Sequence, residues 1–92
     1  MRIDKYLKVS RIIKRRTVAS EACSGGRVAV NGKIVKPGSE VHTGDIISIR
    51  FGEHLGRYEV TRVEETVRKA DASEMYRIIE ENDSILSERS LP

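Results

Sequence analysis

A chain of 92 residues, 38% apolar and 34% charged, is expected to build a single hydrophobic core. It has no Trp, which leaves little apolar surface for a deep enclosed active site, and no apolar run approaches the length of a membrane span. Its net charge of +3 is unevenly spread: residues 1–50 carry 11 basic and 4 acidic groups, a balance of +7, whereas residues 51–92 carry 6 and 10, a balance of −4. A field concentrated in this way on one half of a small domain points to a polyanion contact.

In chain order, Ile3, Tyr6, Leu7 and Val9 recur at helical spacing, with Asp4 in the first turn to complement the helix dipole, and predict a helix over residues 3–10. Arg2, Lys5, Lys8 and Arg11 lie three residues apart and spread over the other side as a broad basic face. A second helix is expected from Arg15 to Ser24, with Val18, Ala19, Ala22 and Cys23 as a narrow stripe of small apolar side chains. Gly25-Gly26 ends it. Lys14-Arg15-Arg16 places three consecutive cations where that helix begins, and the positive end of its dipole would add to the attraction for phosphate.

The period then changes to two. Val28 and Val30 alternate with their neighbours, and Asn31-Gly32 predicts a tight hairpin into Lys33-Ile34-Val35, since both turn positions need positive φ. Lys36-Pro37-Gly38 breaks that strand, Thr43-Gly44-Asp45 turns the chain again, and residues 46–51 and 58–63 read as a further strand pair. From Glu64 the chain is acidic and helix-prone, with Ala72, Met75, Tyr76, Ile78 and Ile79 at helical spacings, and residues 84–92 are expected to fray. The fold class is therefore α+β: an αα-hairpin packed on a small, mostly antiparallel sheet, followed by a helical or frayed tail. The division is residues 1–64 as the main domain and 65–92 as an acidic extension.

A search for catalytic chemistry comes back empty. The stretch from Gly26 to Lys33 is not a phosphate-binding loop, because Arg27 occupies the first glycine position and Ile34 replaces the hydroxyl that would hold magnesium. His42 and His54 have no partner at metal-ligand spacing and read as loop or surface histidines, so neither metal nor cofactor is expected. Cys23 is the only cysteine, which excludes an intramolecular disulfide, fits a reducing cytoplasm, and suits a small buried hydrophobe.

The positive signal is Arg2, Lys5, Lys8, Arg11, Lys14, Arg15 and Arg16, seven cations against one acid in the first sixteen residues. Such a density repels itself, and its competing reading is a solvated helix face. Asp4 has two readings, a dipole partner that also pairs with Lys8 four residues on, which we favour, or an orienter of Arg2 or Arg16. Tyr6 sits at helical spacing with Ile3 and Val9 and reads as core rather than as a base-stacking ring. Aromatics are too few for a single-strand platform, so backbone and shape recognition of structured RNA is expected, with Arg27 and Lys33 of the hairpin adding contacts.

The order of features is itself diagnostic. Arg2-Ile3-Asp4-Lys5-Tyr6-Leu7, then Arg11 and Arg15-Arg16, then Gly26-Arg27-Val28-x-Val30-Asn31-Gly32-Lys33, then Gly44-Asp45-Ile46-Ile47, resembles the RNA-binding domain named after ribosomal small-subunit protein four, the S4 family. Residues 9–17 and Ala72-x-x-Met75-Tyr76 make the chain similar to the compact free-standing bacterial branch of that family, which extends the resemblance over nearly the whole length.

The resemblance implies an αL-type RNA-binding motif and a non-enzymatic, cytoplasmic role in ribosome-associated quality control. The implied partners are large-subunit rRNA and peptidyl-tRNA on the large ribosomal subunit, with RqcH adding alanine tails to the stalled chain. It also implies Arg2, Asp4 and Arg16 as the central RNA-contacting or RNA-orienting group. A monomer is expected, and no membrane partner. Two alternatives stay open: a heat-shock-type factor that rescues blocked large subunits by moving tRNA, and a protein-binding regulatory adaptor.

Overall fold

In the computed structural model, which describes residues 1–51, 54–65 and 67–81, the chain forms two helices followed by one five-stranded antiparallel sheet. Helix α1 spans Ile3–Val9 and buries Ile3, Tyr6 and Leu7; helix α2 spans Arg16–Ser24 and buries Ala19, Ala22 and Cys23. Small side chains on that face of α2 let the two helices approach closely. Gly26, at φ 76°, ends α2 in a Schellman arrangement, with its N–H donating to the Cys23 carbonyl (3.1 Å) and that of Arg27 to the Ala22 carbonyl (2.9 Å).

The strands are β1 (Val28–Val30), β2 (Lys33–Ile34), β3 (Ile46–Phe51), β4 (His54–Val60) and β5 (Tyr76–Glu81), in the spatial order β2-β1-β3-β4-β5. Asn31 (φ 52°) and Gly32 (φ 83°) make the expected hairpin turn. Asn31 also explains why this turn and the Gly44-Asp45-Ile46 turn occur together. Its side chain donates to Asp45 Oδ1 at 3.1 Å and accepts from the Ile46 N–H at 3.0 Å, fastening β1 to the start of β3.

One sheet face carries Val28, Ile47, Ile49, Tyr58 and Val60 into a single cluster with the buried faces of both helices. Ile12 and Ile13, between the helices, are also core, at 3% exposure each. Burying a side chain of this size contributes about 1.5–3 kcal/mol. Val41 and Met75 close the cluster from the connecting segments.

Two expectations need correction. The return strand is His54–Val60 rather than residues 58–63, so His54, Leu55 and Gly56 belong to the sheet. A Cβ on Gly56 would lie 2.5 Å from the Tyr58 hydroxyl and 2.9 Å from its ring, and that ring is buried. The strand therefore needs glycine there to seat Tyr58.

The second correction concerns the region read as a C-terminal helix. Lys69–Met75 is a 3₁₀ helix, and Tyr76–Glu81 is a strand paired with β4. Apolar spacing alone favours helix there, but a sheet edge at β4 offers backbone hydrogen bonds and an edge-to-face contact of Tyr76 with Tyr58 (ring centroids 5.5 Å apart), so tertiary pairing overrides the local pattern. Gly52, Glu53 and the expected frayed segment 84–92 lie outside the described residues.

Candidate nucleic-acid interface

The start of α1 is held by the loop that follows the hairpin. The Ile3 N–H donates to the Ser39 carbonyl at 2.7 Å, that of Asp4 to the Pro37 carbonyl at 3.3 Å, and that of Val41 to the Met1 carbonyl at 3.0 Å. The first two bonds satisfy amide groups that a helix end otherwise leaves open, and all three fix the direction in which α1 presents its cations.

Asp4 is 3% exposed and sits between the two helices' basic residues. Its carboxylate accepts from Arg2 Nε and Nη2, both at 3.2 Å, and from the Lys5 backbone N–H at 2.7 Å, and it pairs with Arg16 Nη2 at 3.5 Å. The pairing with Lys8 is not present among the described residues; Asp4 keeps its place in the first turn of α1, as favoured from sequence, and holds Arg2 and Arg16 as well. The reason is three-dimensional: α2 begins beside the first turn of α1, which brings Arg16 to the carboxylate. Each guanidinium remains about half exposed, at 54% for Arg2 and 47% for Arg16, so the clamp aims two planar forks at solvent while holding their inner edges.

Lys5, Lys8, Arg11, Lys14 and Arg16 converge on one surface depression of about 360 Å³, whose remaining wall is Val9, Glu65 and Val67. Arg11 reaches it from an unusual backbone. It follows the C-cap Ser10 with φ 64°, a left-handed conformation that costs a side-chain-bearing residue of order 1 kcal/mol relative to glycine. The Arg11 N–H donates to the Lys8 carbonyl at 3.0 Å, and the buried Ser10 hydroxyl donates to the Leu7 carbonyl at 3.3 Å, which hold the turn in place.

Arg15 is exposed at the N-cap of α2, where no side chain caps the helix. Arg27 and Lys33 are exposed on the hairpin side and do not line the depression.

Glu65 is the residue that sequence reasoning missed. Its carboxylate hydrogen-bonds Lys5 Nζ across a separation of 60 residues, and that bond holds the Glu65 carboxyl below the usual carboxylate range, with the Lys5 charge adding to it. Nothing local in the sequence marks it, because it reads as one acid in an acidic stretch.

Tyr6 is core, as expected. Its hydroxyl donates to the Met75 carbonyl at 2.6 Å, and burial raises its pKa, with Tyr76 contributing. Cys23 is buried, and burial together with the Asp4 charge pushes its thiol up to about 11. Among the described residues no group of His, Cys, Asp and Glu could hold a metal ion, and no helix is long and apolar enough to cross a membrane.

The sequence profile of the S4 domain matches residues 1–47. The RQC P-site tRNA stabilizing factor of Halalkalibacterium halodurans is 52% identical to this chain over 88 residues, covering 96% of this chain and 100% of that protein. The factor of the same name from Listeria monocytogenes is 56% identical over 81 residues, covering 88% of each. A trimeric structure of heat shock protein 15 from Vibrio cholerae superposes with a TM-score of 0.77 at 30% identity, covering 97% of this chain and 88% of that one.

Proposed function

This chain belongs to the S4 domain family, among the RQC P-site tRNA stabilizing factors, and on that premise we propose that it is a non-catalytic RNA-binding factor that holds P-site tRNA in ribosome-associated quality control. The observation that carries the proposal is the Asp4 clamp beside a depression ringed by cations: Arg2 and Arg16 are pre-positioned by a buried carboxylate, next to Lys5, Lys8, Arg11 and Lys14. Charges fixed in advance lose less side-chain freedom on binding, and arginine forks can take a phosphate through two hydrogen bonds.

On this reading the helical face, with Arg15 at its margin, lies against large-subunit rRNA and peptidyl-tRNA on the large ribosomal subunit. Arg27 and Lys33 supply outlying backbone contacts from the hairpin. The protein acts in the cytoplasm as a monomer on each subunit and steadies the tRNA while RqcH adds alanine to the stalled chain. Residues 1–64 provide the RNA-binding unit, and the acidic segment that follows supports it through Met75 and β5.

The test is co-sedimentation with isolated large subunits, with and without peptidyl-tRNA, over a salt series. Arg16→Ala should weaken binding roughly tenfold, as expected for loss of a charge-assisted contact, with the thermal midpoint little changed. Unaltered co-sedimentation would overturn the assignment. The likeness to heat shock protein 15 supports a second reading, a factor that moves tRNA on blocked subunits without a tailing partner. Loss of function on removing RqcH separates the two, since only the first depends on it.

A further inference from the structure

Every charged residue that reaches the depression from the helical half is a cation, with Val9 the one apolar neighbour, yet the carboxylate of Glu65 is seated there too, hydrogen-bonded to Lys5 Nζ. Glu65 arrives from the segment after β4, and its side chain is 72% exposed. An ion pair that exposed is weakly held and screened by salt, so it is easily exchanged for another anion. Lys8, Arg11, Lys14 and Arg16 surround the same space and have cationic charge that one carboxylate does not balance.

We propose that Glu65 is a resident anion that occupies the seat of a single RNA backbone phosphodiester and is displaced when RNA binds. The inference rests on the reading that this face binds RNA, and it adds that the affinity is set by a competition within the chain. A phosphodiester carries the same single negative charge as the carboxylate, but it brings two unesterified oxygens that several cations can share. Exchange therefore releases Lys5 from Glu65 to the nucleic acid, while the freed carboxylate turns to solvent. The competition also resists weakly held polyanions, because each must first break the Lys5 pair.

The experiment compares Glu65→Gln with the parent chain for binding to isolated large subunits, with and without peptidyl-tRNA, at low and high salt. Glu80→Gln, which removes the same charge from β5 where Glu80 pairs with Arg57, controls for net charge. The expected result is that Glu65→Gln binds about three- to fivefold more tightly at low salt, that the gain shrinks as salt rises, and that Glu80→Gln shows little gain. A gain without tRNA assigns the phosphate to rRNA, and a gain only with peptidyl-tRNA assigns it to tRNA. If Glu65→Gln binds no better than the parent, or no better than Glu80→Gln, the inference fails. The function proposed above would still stand if Arg16→Ala weakens binding in the same assay.

Discussion

Arg57, Arg62, Arg68 and Arg77, all beyond β3, each have a carboxylate at hand: Glu80 at 3.4 Å from Arg57, Glu64 and Glu74 beside Arg62, Asp71 at 3.3 Å from Arg68, and Glu59 at 3.0 Å from Arg77 Nε. On the helical side Lys8, Arg11, Lys14 and Arg15 have no carboxylate partner among the described residues. The same kind of side chain thus serves two ends. Paired arginines on the sheet side are balanced locally, and exposed pairs of this kind contribute about 0–1 kcal/mol each. Unpaired cations gathered on one face repel one another, and a polyanion relieves that repulsion when it binds.

Asp4 is where the contrast can be broken most severely, because it is the one buried acid on the basic side. Asp4→Ala removes the charge-assisted bonds to Arg2 and the Lys5 amide, and should lower stability by about 2 kcal/mol in urea denaturation while weakening subunit binding at least as much as Arg16→Ala. Next in size is Arg11→Gly, which should raise stability by about 1 kcal/mol through relief of the left-handed backbone and yet weaken binding. Unchanged or tighter binding would remove Arg11 from the interface, and a fall in stability would overturn the relief of backbone strain.

A smaller effect sharpens the comparison directly. Lys8→Ala or Lys14→Ala should reduce the slope of binding against salt by about one phosphate contact with stability within about 0.5 kcal/mol, whereas Arg57→Ala and Arg77→Ala should leave that slope unchanged. The smallest expected effect tests the core that joins the two sides. The Cys23 thiol is raised in the folded state, so its protonated form contributes stability that is fully present below its ordinary value near 9 and is lost as pH rises toward about 11. Thiol alkylation at pH 8 should accordingly be slow in the native protein and fast after unfolding.

Features carried by a few neighbouring residues were legible in the sequence. Both helices, the Schellman end at Gly26 and the Asn31-Gly32 hairpin depend on side chains within one or two turns of each other, and they stand within a residue or two of expectation. Tyr6 and Cys23 were legible as core because helical spacing places them opposite the charges. Strand β5 was not legible. Met75, Tyr76, Ile78 and Ile79 satisfy a helical period, and only the free edge of β4 makes the extended form the better one. Gly56 likewise shows its purpose only against the Tyr58 ring two residues away on the folded strand.

The sequence by itself determined the surplus of positive charge, the elements that carry it and the family motif, because composition and short-range periodicity are properties of the chain before it folds. Only the tertiary structure decided which of those charges meet. Arg2 and Arg16 share Asp4, and Lys5 meets Glu65, across 12 and 60 positions of chain. Coulomb interactions depend on distance in space rather than on separation in sequence, so that selection appears only once the helices and the segment after β4 have packed against one another.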